Sequence, residues 1–360
     1  MKAAVCREFG KPLTIEDVAV AVPNQGEVKV AVKACAICHS DIHFAEGAWG
    51  GKLPAVFGHE AAGVVEAVGA GVTSVAPGDH VVVTLVRSCG SCACCDQGYF
   101  GSCETLFPLD RKTPLTASSD GSDMAHGLRT GAFAEQALVE ASQVVAMPDD
   151  VPFDAASLLA CGVITGFGAV INTAKVPAGA SVVVIGTGGV GLNSVQGAAL
   201  SGARAVIAID LSDDKLKAAA RFGATDGVNP TTEDAVSAVR RLTGGRGADF
   251  VFVTVGAKAA VDQSFDLVAR GGAVVLVGMP AVGVNAEFGI LQLANDSKRI
   301  LGSKMGAANI QRDIPNLISL YKQGRLKLDE LITARYPLPE INEAIASVNR
   351  GEALRNVIMF

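Results

Sequence analysis

Between Ser181 and Asp210 the chain describes one supersecondary unit and leaves little room for another. Ser181-Val182-Val183-Val184-Ile185 is an uninterrupted apolar run of the kind carried by a strand buried on both faces. Gly186-Thr187-Gly188-Gly189-Val190-Gly191 follows at once, then a helical stretch through Leu200. A second strand, Ala205-Val206-Ile207-Ala208-Ile209, ends at Asp210, nineteen residues after the last glycine of the motif. Strand, G-x-G-x-x-G, helix, strand and acid together form a dinucleotide-binding fingerprint. Its glycines let backbone amides approach a pyrophosphate at the helix N-terminus, where the helix dipole favours anions. In a chain with 41 glycines the hexapeptide alone would be weak; its setting gives it weight. Asp210 is suited to accept from both adenosine ribose hydroxyls and to repel a 2′-phosphate. Leu211 and Ser212 supply no arginine to reverse that preference, so NAD is expected over NADP. Lys215 can be read as reaching the ribose or, equally well, as a solvated helix-face lysine.

The alternation continues downstream. Lys215 to Phe222 reads as helix, Asp226–Val228 as strand, Glu233 to Leu242 as helix and Phe250–Val253 as strand. Ala259 to Ala269 reads as helix and Ala273–Val277 as strand, which together predict a doubly wound parallel sheet. The chain is expected to leave this sheet around 303–306. Two more helical stretches follow, Asp313 to Gln323 and Leu338 to Val348, and a final strand, Val357–Phe360, which should rejoin the first domain.

From Met1 to about Pro148 the pattern is different. Short β-branched runs such as Val28-Lys29-Val30-Ala31-Val32 and Gly63-Val64-Val65-Glu66-Ala67-Val68 are separated by glycine and proline turns, which predicts a mostly antiparallel, barrel-like β domain. Within it, Cys38-His39-Ser40-Asp41-Ile42-His43 and Gly58-His59-Glu60-Ala61-Ala62-Gly63 gather a thiol, three imidazoles and two carboxylates into twenty-six residues. These are donors that zinc prefers. Cys161 stands alone in the apolar segment Leu158-Leu159-Ala160-Cys161-Gly162, a setting suited to a buried ligand. Taken singly, Cys161 reads as a small core residue and His43 or His59 as an ordinary hydrogen-bonded imidazole. Taken together, Cys38, His59 and Cys161 suggest a zinc site with one position open for exchange.

A second cysteine group has a different character. Cys89, Cys92, Cys95 and Cys103 follow C-x2-C-x2-C-x7-C, with Cys94 passed over and expected to point away. Four thiolates close a tetrahedral zinc site, so the role is to fold a lobe otherwise short of core, and such binding contributes roughly 10 kcal/mol or more in zinc-finger peptides. The competing reading, a zinc ribbon that contacts nucleic acid or protein, lacks the basic residues it needs. Residues 104–132, with Pro, Ser, Asp and Gly throughout, read as one long loop. His80 and His126 have no ligand-like neighbours and read as structural.

Length and charge bound the rest. A chain of 360 residues exceeds what one core organises, so two domains are expected. Their boundaries are 1–162 with 305–360, carrying the cysteine lobe at about 88–104, and 163–304 for the nucleotide. A net charge of −6 gives no broad basic surface and argues against nucleic-acid or membrane partners. The opening residues lack the apolar core of a secretion signal, and Val176 to Ala203, though free of charged side chains, is broken by seven glycines and several polar residues. A cytoplasmic protein is expected, its nine cysteines serving metal rather than disulfides.

With the glycine fingerprint, G-H-E-x-x-G and the four-cysteine spacing in this order, the chain resembles the zinc-containing alcohol dehydrogenases of the medium-chain dehydrogenase/reductase family over essentially its whole length. The resemblance implies a Rossmann domain beside a GroES-like catalytic domain, one catalytic and one structural zinc, and NAD. It makes Cys38, His59 and Cys161 the catalytic ligands, Glu60 an acid able to approach the metal, and Asp41 the carboxylate that orients His59. Ser40 and His43 match a proton relay, His39 and Arg355 fall where relatives contact the pyrophosphate, and Thr165 and Val190 fall beside the nicotinamide. The implied reaction is oxidation of a primary aliphatic, allylic or aryl alcohol to its aldehyde, or the reverse. Cysteine rather than an acid at 161 separates the chain from polyol dehydrogenases. Trp49 and Phe107 stand where the glutathione-dependent formaldehyde branch places an acid and an arginine, which disfavours that branch. Trp49 and Leu85 are expected to line an apolar pocket. A nicotinoprotein with permanently held NAD and a non-catalytic zinc and nucleotide binder are the other readings. The length of the segment between Cys103 and Phe133 is similar to that of dimeric relatives, so a homodimer joined through the nucleotide domains is expected.

Overall fold

Glu27–Ala36 is the longest strand of the protein, and the first part of the chain is assembled on it in the computed structural model, which describes residues 1–360. Its sequence, EVKVAVKACA, alternates between buried valines and more accessible partners before becoming fully buried at Cys35 and Ala36. A strand with one wet face and one dry face reads this way. It pairs antiparallel with Glu60–Val68 on one side, Ala36 lying opposite Glu60, and with Arg355–Met359 on the other, Ala36 lying opposite Val357. Gln136–Glu140 also pairs with it, and His80–Thr84 extends the sheet beyond Glu60–Val68. Five further strands, Lys2–Cys6, Thr14–Val20, Ala55–Val56, Leu115–Ala117 and Asp123–His126, close a small barrel. Met124, Leu115, Val5 and Val56 fill its interior.

The chain divides into two compact units, Met1–Gly162 with Asn309–Phe360, and Val163–Ala308; it re-enters the first unit at Asn309, where the sequence suggested 305. In the second unit six parallel strands lie in the order Asp226–Val228, Ala205–Ile209, Ser181–Ile185, Ala248–Val253, Val268–Leu276, Arg299–Gly302. That order reverses direction at the central strand Ser181–Ile185, the doubly wound arrangement that the βαβ pattern predicts. Helix Gly189–Leu200 begins on the glycine motif, and a Cβ added at Gly191 would sit 1.8 Å from the Gly186 carbonyl oxygen. Only glycine lets helix and strand approach so closely.

The sequence reading differs from the structure in definite places. Residues 104–132 are not one loop: they contain a short helix at Pro108–Arg111 and the strands Leu115–Ala117 and Asp123–His126, which pair as a hairpin with Thr116 opposite Asp123. Three- and four-residue strands are too short to show a period, and only the barrel they close makes them strands. The helix expected over Ala259–Ala269 spans Lys258–Leu267, and Val268 already belongs to a nine-residue strand whose register shifts before Phe250 pairs with Ala273. The irregularity hides its first half from a period-two reading. Glu233 lies outside its helix, which begins at Ala235 because the Asp234 side chain accepts from the Ser237 N–H at 2.8 Å and caps it. The one helical run long and apolar enough to cross a bilayer, Phe153–Ala174, is largely buried.

Candidate metal centres and nucleotide fingerprint

The register of the central sheet explains how residues far apart in sequence meet. Because Ala36 faces Glu60 across an antiparallel pair, the residues just past one strand lie beside those just before the other, and Cys38 meets His59. On the opposite edge, the Ile37 N–H donates to the Asn356 carbonyl at 2.9 Å, which brings Arg355 to the same place. Cys161 arrives on a wide helical turn, Leu159–Val163. Such π-turns push one residue out of helical register and recur at functional sites.

The donor atoms of Cys38, His59, Glu60 and Cys161 all lie within 4.8 Å of one another, and all four residues are buried. Asp41 organises the group from the first turn of helix His39–Ala45, which Cys38 caps. Its Oδ1 accepts from the Gly58 N–H and pairs with His59 Nδ1, each at 2.9 Å, while Oδ2 accepts from the Cys38 N–H at 3.2 Å. With Nδ1 turned to the carboxylate, His59 directs Nε2 into the cluster, the tautomer a metal requires. That nitrogen and Glu60 Oε1 are buried with no hydrogen-bond partner in the protein. An unmet buried polar atom costs about 1–3 kcal/mol, a penalty that a metal ion removes.

The titrations of this group express the same demand. The Cys161 thiol donates to Cys38 and holds the Cys38 thiolate well below the usual thiol range, which leaves Cys161 itself pushed up. Burial pulls the His59 imidazole down, but Asp41 and the Cys38 thiolate push it further up, so it ends well above its ordinary value. Burial also lifts the Glu60 carboxyl to about 7 against the pull of Arg355, with which Glu60 forms a short buried ion pair. Two sulfurs, an imidazole and a carboxylate thus share a buried site, and a divalent cation held there would displace the protons they otherwise keep. Sulfur and imidazole donors in a four-member set fit zinc.

The second cluster closes in the same way without an exchangeable position. Cys89, Cys92, Cys95 and Cys103 bring their sulfurs within 4.8 Å of one another, and Cys94 is outside the group. A tetrahedron with zinc–sulfur bonds of about 2.3 Å has edges of about 3.8 Å, and the Cys92–Cys103 sulfurs are already 3.9 Å apart. The N–H groups of Ser91 and Cys92 point at the Cys89 sulfur at 3.4 and 3.3 Å, and that of Cys89 points at Cys103 at 3.3 Å. Hydrogen bonds led by Thr105 pull the Cys89 thiol down to about 5, whereas burial pushes Cys95 up to about 12.

Other residues singled out from sequence fall as follows. Ser40 and His43 are half-buried three residues apart on helix His39–Ala45, hence on one face, and the His43 ring lies 5.1 Å from that of Trp49. Trp49 packs edge-on against Phe44, and His39 is exposed. Arg355, expected at a pyrophosphate, is 6% exposed and ion-paired with Glu60 inside the first unit. In the second unit Gly186 takes a left-handed φ of 88°, Gly188 caps the helix, and Gly189, Val190 and Gly191 form its first turn. Thr165 is 8% exposed, its hydroxyl donating to the Met305 sulfur at 3.7 Å, and Lys215 lies on helix Asp213–Arg221. Asp210 holds a surprise: its Oδ2 accepts from both the N–H and the hydroxyl of Thr187, at 2.7 and 2.9 Å, and Oδ1 accepts from Ser212 at 3.1 Å. One carboxylate oxygen is therefore committed to the protein. The signal that could have revealed this partner is the hydroxyl at the first variable position of the glycine motif.

Comparison with known proteins agrees with this geometry. Residues 24–149 match the alcohol dehydrogenase GroES-like domain, and residues 189–323 match the zinc-binding dehydrogenase domain. The chain is 38% identical to an NDMA-dependent alcohol dehydrogenase of Amycolatopsis methanolica, covering 99% of this chain and 98% of the relative. Among solved structures, an alcohol dehydrogenase zinc-binding domain protein from Burkholderia ambifaria superposes with a TM-score of 0.95 at 36% identity, covering 100% of this chain and 98% of the other. The benzyl alcohol dehydrogenase of Acinetobacter calcoaceticus superposes with a TM-score of 0.92 at 33% identity, covering 100% and 99%.

Proposed function

Because the chain belongs to the zinc-binding alcohol dehydrogenases of the medium-chain dehydrogenase/reductase family, we propose that it oxidises a primary alcohol to its aldehyde, or runs the reverse reduction, with NAD as the partner that takes or gives the hydride. The observation that carries this reading is the buried Cys38–His59–Glu60–Cys161 donor set with its unpartnered His59 Nε2. In this reading Cys38, His59 and Cys161 hold the catalytic zinc, and Cys89, Cys92, Cys95 and Cys103 hold the structural one. When bound, zinc supplies Lewis acidity and NAD supplies the hydride acceptor. The work of the chain's own groups is to hold and to move protons. Asp41 keeps the His59 Nδ1 proton, so that Nε2 stays a donor lone pair. Glu60 is neutralised by Arg355 and stands as a further carboxylate beside the three ligands. Ser40 Oγ would accept the substrate hydroxyl proton while releasing its own toward His43, and His43 would pass a proton to water.

For the cofactor, the amides of the Gly186–Gly191 turn receive the pyrophosphate. Asp210 accepts from the adenosine ribose through Oδ1 and disfavours a 2′-phosphate, and Lys215 reaches the same ribose. Thr165 and Val190 border the nicotinamide. The assembly is a homodimer joined through the second unit, supported by the edge position of strand Arg299–Gly302 and the exposed Met279, Val282, Ile290 and Leu291.

The test is a panel of aliphatic, allylic and aryl primary alcohols with NAD and with NADP, zinc being measured on the same preparation. Two zinc ions per chain and turnover with NAD are expected, and Cys161→Ala should leave one zinc and abolish turnover. An active enzyme holding zinc only in the four-cysteine lobe, or full turnover in Cys161→Ala, would refute the reading. Similarity to the relative named NDMA-dependent alcohol dehydrogenase favours a second version, a nicotinoprotein whose NAD never leaves. Heating the purified protein and assaying the supernatant decides between them, since stoichiometric NAD release marks the nicotinoprotein.

A further inference from the structure

The turn Gly127–Gly131 is built against the preferences of its residues. Leu128 and Arg129 occupy consecutive left-handed conformations, with φ of 51° and 61°, a region sparsely populated by residues that carry a Cβ. What holds them there is a buried polar network that the chemistry described above does not use. The Arg129 carbonyl accepts from Gln143 Nε2 at 3.0 Å and from the Arg87 guanidinium at 3.3 Å. Arg87, 1% exposed, also donates to Gln143 Oε1 at 2.8 Å and pairs with Asp110 at 2.9 Å, and Asp110 pairs in turn with the Arg129 side chain at 3.2 Å. Gln143 is fully buried and its amide also donates to the Thr84 carbonyl at 2.9 Å.

The segment that leaves this turn leads straight to a metal ligand. The Ala132 N–H donates to the Gly58 carbonyl at 2.9 Å and the Phe133 N–H to the Phe57 carbonyl at 2.8 Å. Gly58 has a φ of 91°, and a Cβ there would lie 2.4 Å from the Phe133 nitrogen, so the two segments are in direct backbone contact. The Gly58 N–H and His59 Nδ1 share one acceptor, Asp41 Oδ1, each at 2.9 Å. A shift of the Gly58 peptide therefore changes the hydrogen bond that sets the His59 ring.

We propose that Arg87 and Gln143, with Asp110, are positioning residues for His59: they hold the Leu128–Arg129 turn in its unfavourable conformation, and that turn fixes the Phe57–Gly58 peptide against which the ligand is oriented. The inference rests on the reading of Cys38, His59 and Cys161 as zinc ligands. None of the three touches the metal cluster. Their effect is on how tightly the catalytic ion is kept, not on the four-cysteine lobe, although Arg87 is only two residues from Cys89.

The experiment follows zinc leaving the holoenzyme in the presence of a chromogenic chelator, with Cys161→Ala identifying the release phase that belongs to the lobe. Gln143→Glu keeps the acceptor for Arg87 and the shape of the side chain but removes the amide that donates to the Arg129 and Thr84 carbonyls. It should speed release of the catalytic zinc by about tenfold, the lower range for loss of an outer partner of a metal ligand, and leave the lobe phase unchanged. Arg87→Met should do the same. Leu128→Gly, which makes the left-handed conformation cost-free at that position, should restore most of the retention in either background, a rescue that a general loss of packing would not show. Should Arg87→Met fail to fold, Gln143→Glu and its Leu128→Gly double carry the comparison. Equal acceleration of both phases, acceleration of the lobe phase alone, no change, or no rescue by glycine overturns the proposal. A wild-type protein that holds only the lobe zinc would instead overturn the reading of the metal centre, and this inference with it.

Discussion

His126 illustrates how a residue with no part in the chemistry can still set the conditions under which the protein survives. Burial pulls its imidazole down to about 4 from an ordinary value of 6.5, while a backbone contact at Thr130 pushes weakly the other way. The folded state thus keeps His126 neutral where the unfolded chain already binds a proton. The stability it allows is complete above pH 6.5 and falls as pH drops from 6.5 to 4, by up to about 3 kcal/mol at about 1.4 kcal/mol per pH unit. Denaturant midpoints between pH 7 and 4.5 should fall less steeply in His126→Gln than in the wild type, and parallel slopes would show that the ring does not titrate as described. Reading the sequence alone made His126 structural without revealing its buried setting. The metal donors were easier, because thiols, imidazoles and carboxylates at ligand spacing are rare by chance. Thr187, Arg87 and Gln143 were invisible for the opposite reason: their types are ordinary, and only the fold brings Thr187 to Asp210 or Gln143 to Arg129.

At the scale of elements, the stretch from Cys89 to Cys103 has a four-residue helix, Ala93–Asp96, a short 3-10 turn, Phe100–Ser102, and few buried side chains. With so little apolar surface to remove from water, its order depends on the ion its sulfurs hold. Cys103→Ser should lower zinc content by one per chain and open cleavage sites for protease between 89 and 103, with the catalytic zinc retained; unchanged zinc stoichiometry would exclude the four-sulfur site. This lobe was legible because its spacing is itself the signal. The hairpin Leu115–Ala117 and Asp123–His126 was not, since its three and four residues acquire strand character only by completing a barrel whose other walls begin at Lys2, Thr14 and Ala55. The strands Ser181–Ile185, Ala205–Ile209 and Ala248–Val253 of the second unit, apolar runs of five or six residues, needed no such context, whereas the four-residue edge strand Arg299–Gly302 did.

On the scale of the whole molecule, strand Arg299–Gly302 ends the parallel sheet with one edge unpaired, and Met279, Val282, Ile290 and Leu291 in the same unit are exposed. Light scattering coupled to size exclusion should report two chains of 36.7 kDa each, and Leu291→Asp should shift that mass toward one chain. A mass of four chains, or an unaltered dimer in the variant, would point to another surface.

The discontinuity of the first unit has a consequence for how the protein is made. Arg355–Met359 covers one edge of strand Glu27–Ala36 and brings the guanidinium that neutralises Glu60, yet it is synthesised only after the whole of the second unit. Until then a nascent chain carries a buried acid with no counter-charge and a long strand with a bare side, however complete its cysteines and histidine are. A polypeptide cut before Arg355 would have every zinc donor present and no finished cage to put them in, a product that cellular quality control would meet as half-made.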